Sequence, residues 1–174
     1  MFLRLTIWFL FIFGGIFGGI YLDSVFFPGI HNNLMLHVIL FIIGVILLFI
    51  VMKISKNTGR TLAKYGRKGD IKRLDTNVLA KDGIYAYMRH PMHLGLMLFP
   101  LSLAFLTGII SFIVIIAPLE VMLMLIMIFT IEEPEAIRKF GDNYRNYKNK
   151  VPAFCFKFSC IKKLFESQSK SEGD

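Results

Sequence analysis

Long uncharged apolar runs alternate with short polar and basic stretches. Leu5–Leu22 is 18 residues without a charge, and Leu34–Met52 is 19. Leu94–Ile131 is 38 residues with one charge, Glu120. A helix needs about 20 mostly apolar residues to cross the hydrocarbon core. The third run is too long for one crossing and reads as two joined by a hairpin at Thr107-Gly108 and Ser111, where small or polar residues fall. The pattern predicts an all-α integral membrane bundle with four transmembrane helices, about 5–22, 34–52, 92–108 and 111–131. The first run is read as a span, not a cleaved leader, because it ends in Tyr21-Leu22-Asp23 without a small-residue cleavage pattern. Residues 1–166 read as one domain and 167–174, small and polar, as a disordered tail.

Past Pro134 the periodicity changes. Ile137, Phe140, Tyr144 and Tyr147 recur at spacings of 3, 4 and 3, flanked by Arg138, Lys139, Arg145 and Lys148. This predicts a C-terminal amphipathic helix, lying on anionic lipid or covering a pocket. Within the first span Gly14, Gly15, Gly18 and Gly19 form two overlapping G-x-x-x-G patterns. Small residues one turn apart let helices approach closely, inside the bundle or in a homodimer.

Composition sharpens this reading. Apolar residues make up 55% of the 174 and charged residues 18%, against about 45–50% and 25% in soluble domains. The net charge is +8, and its placement matters more than its size. Lys53–His90 holds ten basic residues and three acids, and Arg138–Asp174 nine and four, while Asp23–Asn33 has no Lys or Arg. The positive-inside rule then puts both termini and the loop between spans two and three on the cytoplasmic side. These charges lack a nucleic-acid module and read as a cationic membrane surface. Cys155 and Cys160 form neither a CxxC pair nor a disulfide framework, and no role is expected of them.

Three features carry candidate chemistry. Gly83 permits a tight turn in the loop before the third span. Arg89, His90 and Pro91 then fall at that span's N-terminal border, where Pro suits the first helical turn and backbone amides favour an anion. Glu132-Glu133-Pro134 puts two carboxylates at the start of the next helix. Glu120 is an ionisable group deep in a span, with His37 as one candidate partner. Arg89, His90 and Glu120 are therefore the candidate catalytic residues. No phosphate-binding glycine loop, metal-ligand spacing or nucleophile elbow is present, and no metal is expected.

Taken together, the segments Gly83-x-Tyr85-x-x-x-Arg89-His90-Pro91-Met92, Glu132-Glu133, and Phe140-Gly141-x-x-Tyr144-x-x-Tyr147 followed by Val151-Pro152-x-Phe154 resemble the integral-membrane methyltransferases. That family includes isoprenylcysteine carboxyl methyltransferase and the phospholipid N-methyltransferases. The resemblance runs from about Asp75 to Phe154. It implies S-adenosylmethionine as cofactor, contacted by Asn77, Val78, Leu79, Ala80, Tyr85, His90, Pro91, Met92, His93 and Glu132. It implies a lipid-embedded acceptor as partner, either an isoprenylcysteine-type carboxylate or a phospholipid amine. The isoprenylcysteine branch carries an arginine where Ile128 stands, and the Glu132-Glu133-Pro134 run resembles the phospholipid branch, so the acceptor stays open. Two other readings remain: an NADPH-dependent sterol-type reductase, which shares an Arg-His-Pro segment, and a non-catalytic membrane scaffold.

Overall fold

The computed structural model describes residues 2–29, 33–70 and 76–166, and within them the chain is helical. Asp75, at the start of the family-like segment, and the tail 167–174 lie outside the described residues. The order is α1 (Phe2–Phe26), α2 (Leu34–Tyr65), a 3-10 turn (Gly83–Ala86), α3 (Pro91–Thr107), a π-helical turn (Phe112–Ile116), α4 (Ala117–Met127), a second π turn (Ile128–Glu132), α5 (Glu133–Phe140), α6 (Asp142–Lys150) and α7 (Phe158–Phe165). Among the described residues, three helices are long and apolar enough to cross a membrane: Phe9–Phe26, Leu34–Tyr65 and the continuous run Phe112–Phe140. α3 is apolar but has only 17 residues.

Several boundaries differ from expectation. The apolar run of the second expected span ends at Met52, where lysines begin, and α2 continues past it to Tyr65. Charge ends an apolar run but does not end a helix. Beyond Met52 the helix buries Ile54, Thr58 and Thr61, and the Thr58 and Thr61 hydroxyls donate to the Ile54 and Asn57 carbonyls at 2.8 and 2.9 Å. The expected C-terminal amphipathic helix is two helices, broken at Gly141, whose φ of 57° suits glycine. Tyr144 and Tyr147 of its stripe are buried, so that part faces protein. α7 was not anticipated. Cys155 and Cys160, expected to be without a role, form a disulfide. A pair five residues apart belongs to no standard spacing, and only the turn into α7 brings the two together.

The chain divides into two compact units, Met1–Ile50 with Met97–Ile126, and Val51–Leu96 with Met127–Asp174. In the first, α1 packs antiparallel to the π turn and α4. A methyl group added at Gly15 would meet Phe112, Ile116 and Glu120 at 3.1–3.3 Å, and one at Gly19 would meet Ile109 at 2.6 Å. Gly14 and Gly18 face open space. One of the two glycine patterns is thus spent inside the unit, around a core of Ala104, Ile109, Phe112 and Ala117. Fully buried Asp23 closes this packing: its carboxylate accepts the Ile110 and Ser111 amides at 2.8 and 2.7 Å, capping the start of the helical run. The turn at Gly108 falls within the expected hairpin.

Candidate active site

The second unit brings the expected loop and the paired glutamates together. The loop is first fixed by Asn77. Its side chain accepts the Lys68 amide at 2.8 Å and donates to the Lys68 carbonyl at 2.7 Å, while the Asn77 and Val78 amides both donate to the Gly66 carbonyl. Asn77 thereby acts as a backbone mimic that holds its own loop. Gly83, at φ 62°, starts the 3-10 turn. Tyr85 is buried there, and its carbonyl accepts the Tyr147 hydroxyl at 2.5 Å. Pro91 opens α3, as its missing N–H allows.

Glu133 is the hub. Its carboxylate is 1% exposed; Oε1 meets Arg89 at 2.6 Å and His90 Nε2 at 3.3 Å, and Oε2 meets Lys148 Nζ at 2.6 Å. Arg89 also donates to the Lys148 carbonyl at 2.8 Å. Three segments are tied through one buried anion. Loss of hydration, then the neighbouring His93, push His90 down to about 4 despite the glutamates. His90 is therefore neutral at pH 7 and meets Glu133 as a hydrogen-bond donor. Nε2 carries the proton and Nδ1 the lone pair. The positive charge facing Glu133 comes from Arg89 and Lys148.

Glu132 points elsewhere, bonding His93 Nε2 at 2.8 Å, and both side chains are about one-fifth exposed. The π turn over Ile128–Glu132 precedes the split between the two glutamates. Wide turns of this kind concentrate at functional sites. Ile128, fully buried, is its first residue.

A strap completes the site. The backbone amides of Arg89 and His90 donate to the carbonyls of Pro152 and Ala153 at 2.9 and 3.1 Å, and the Phe154 ring lies 6.1 Å from the His90 ring. Burial pushes the Tyr144 phenol up to about 12, and Tyr144 meets Tyr147 edge to face.

Among the sequence-expected residues, Tyr85, Arg89, His90, His93 and Glu132 share this unit's cluster or its support. Met92 and Val78 are exposed, Leu79 half-buried and Ala80 buried. Glu120 belongs to the other unit. There it packs on Gly15, with no hydrogen-bond partner on either oxygen, while His37 sits beside Gly108 in a cavity of about 260 Å³; the two do not meet. Sequence reasoning missed the hub role of Glu133, the Lys148 contact and the strap, although Val151-Pro152-x-Phe154 was already visible as a motif. His90, His93 and Glu132 offer donor atoms within 4.8 Å of one another, the composition of a cation site. Each histidine already directs Nε2 to a carboxylate, and no metal is assigned.

An all-helical chain with three membrane-length apolar helices and an Arg-His-Pro segment joined to paired glutamates defines a class of membrane protein with a polar site built from helix termini. The phospholipid methyltransferase family matches residues 33–143, well over half of the chain, and the protein belongs to that family. It is also 37% identical over 86 residues to the protein-S-isoprenylcysteine O-methyltransferase of Schizosaccharomyces pombe, covering 47% of this chain and 34% of that protein. The matched stretch is thus about a third of the relative's length. No solved structure matches.

Proposed function

We propose that this chain is an integral-membrane methyltransferase that uses S-adenosylmethionine and methylates a lipid-embedded acceptor, either an isoprenylcysteine-type carboxylate or a phospholipid amine. The observation that carries the reading is the joining of Arg89-His90-Pro91 to Glu132-Glu133 through short ion pairs and hydrogen bonds. Family membership favours methyl transfer over the NADPH-reductase reading. The donor chemistry fits the cofactor. A partly exposed carboxylate at Glu132 suits a ribose diol, the exposed Met92 and Val78 suit an adenine face, and the start of α3 suits a carboxylate. When bound, the cofactor supplies an electrophilic methyl on a sulfonium.

The chain's own task is alignment, which supplies several kcal/mol in reactions of this kind. Glu133 holds Arg89 and His90 in place, and the strap backs them. Neutral His90 offers Nδ1 as a proton acceptor, of use only to an amine, since a carboxylate acceptor is already ionised. In this reading α3, at about 25 Å of helix, is a fourth crossing of a bilayer about 30 Å thick. Both termini face the cytoplasm. A homodimer, if formed through the glycines of α1, uses Gly14 and Gly18, because Gly15 and Gly19 are occupied.

The test is transfer of a tritiated methyl from S-adenosylmethionine, with the purified protein in nanodiscs, to total lipid extract and to a prenylated-cysteine mimic. A base-labile product indicates an ester and a stable one an N-methyl lipid. For a carboxylate acceptor the rate is nearly flat between about pH 6 and 8, whereas for an amine it rises. Glu132→Gln is expected to lower the rate at least about tenfold, as loss of one charge-assisted bond does. Transfer to neither acceptor sinks the reading.

A further inference from the structure

The disulfide lies at the exit of the strap that backs Arg89 and His90. Val151 donates its amide to Tyr147, Pro152 and Ala153 accept the Arg89 and His90 amides, and Cys155 follows directly after Phe154. Cys155 is bonded to Cys160 in the first turn of α7. α7 is in turn fastened at its other end, where Asn57 donates to the Leu164 carbonyl at 3.1 Å. A continuous mechanical path therefore runs from α2 through α7 and the S–S bond to the two residues that face Glu133. With the bond open, the chain runs from the strap to α7 through Phe156 and Lys157, both exposed.

The chemistry of the pair suits exchange. Cys160 is 3% exposed, whereas Cys155 is half-buried beside those exposed residues, so Cys155 Sγ is the sulfur a reagent reaches. In the orientation that the charge pattern predicts, this segment lies on the cytoplasmic side, where a permanent structural disulfide is unusual and those that form are catalytic or redox-sensing.

We propose that Cys155–Cys160 is a thiol–disulfide exchange site, opened by a dithiol reductant, whose state sets how firmly the 151–154 strap holds Arg89 and His90. A thiolate of the reductant attacks Cys155 Sγ and displaces Cys160 as a thiolate. The reductant's second thiolate then attacks its own sulfur in the mixed disulfide, releasing Cys155 and leaving the reductant as a disulfide. Two electrons pass to the cysteines, and the two protons of the reductant's thiols end on them. The oxidised state is the preorganised one, and loosening the strap weakens ligand binding at the site it backs. The consequence for cofactor binding rests on the methyltransferase reading; the mechanical coupling does not.

The test uses the whole protein in detergent micelles, oxidised or treated with dithiothreitol. Reduction is expected to raise amide hydrogen exchange at Arg89 and His90 about tenfold. The Ile110 and Ser111 amides, held by Asp23, are expected to stay unchanged. S-adenosylmethionine is expected to bind about fivefold more weakly after reduction. A Cys155→Ser/Cys160→Ser double variant should match the reduced protein whether or not reductant is present. Equal exchange at Arg89 and His90 in both states overturns the proposal. So does a double variant that keeps the protection of the oxidised protein, or two alkylatable thiols that no mild oxidant closes. If exchange responds but neither state binds S-adenosylmethionine, the strap coupling stands and the methyltransferase reading fails.

Discussion

His90 shows how much one side chain owes to its surroundings. Burial and His93 hold it neutral, with its pKa near 4 against an ordinary 6.5, so between those values the unfolded chain binds a proton that the folded chain refuses. Stability should therefore be fully present above about pH 6.5 and fall as the pH drops toward 4, by on the order of 3 kcal/mol for this residue alone. Thermal unfolding in detergent across that window checks it. His90→Gln, which cannot titrate, should flatten the slope. An unchanged slope would mean that other groups carry it. The identities of Arg89, His90 and Glu132 were legible in the sequence because they fall in a recognisable order at helix ends. The division of labour between Glu132 and Glu133 was not. It depends on a π turn and on Lys148 arriving from α6, and pairing between distant segments leaves no mark in local spacing. Asn77 is similar: its residue type fits ligand contact, while its observed bonds hold the loop.

At the scale of elements, uncharged apolar runs marked three helices of membrane length, small and polar residues the Gly108 turn, and Pro91 the start of the shorter α3, because each follows from local chemistry. It could not say which glycines of α1 touch a neighbour, since all four lie within two turns and only the packing partner chooses a face. That choice gives a sharp prediction. Gly19→Leu drives a side chain into Ile109 and against the Phe112 backbone, and should destabilise the protein by about 1–3 kcal/mol or more. Gly18→Leu meets open space and should leave the unfolding temperature within a few degrees of wild type. Thermal melts of the two variants in one detergent settle the order. Equal losses would show that α1 is not seated on α4 as described. If the outward glycines support a dimer, Gly18→Leu should abolish it without touching the fold.

Across the whole molecule, the distribution of basic residues predicts an orientation. The loop after α1 has no Lys or Arg, whereas α2 beyond Met52, the following loop and the C-terminal helices hold nearly all of them. Moving cationic segments across a bilayer is disfavoured during insertion, so these parts should remain on the cytoplasmic side. In a Cys155→Ser/Cys160→Ser background, Gly29→Cys should react with a membrane-impermeant maleimide added outside intact cells. Lys56→Cys and Lys139→Cys should react only after permeabilisation. Labelling of Gly29→Cys and Lys56→Cys from the same side would mean that α2 does not cross. Labelling of Lys56→Cys and Lys139→Cys from opposite sides would separate the Arg-His-Pro segment from the glutamates that the ion pairs require to be together. The same measurement bears on the disulfide. With the tail inside, the bridge meets the cell's dithiol reductants and can be opened and closed; with the tail outside, it stands in an oxidising space and remains shut.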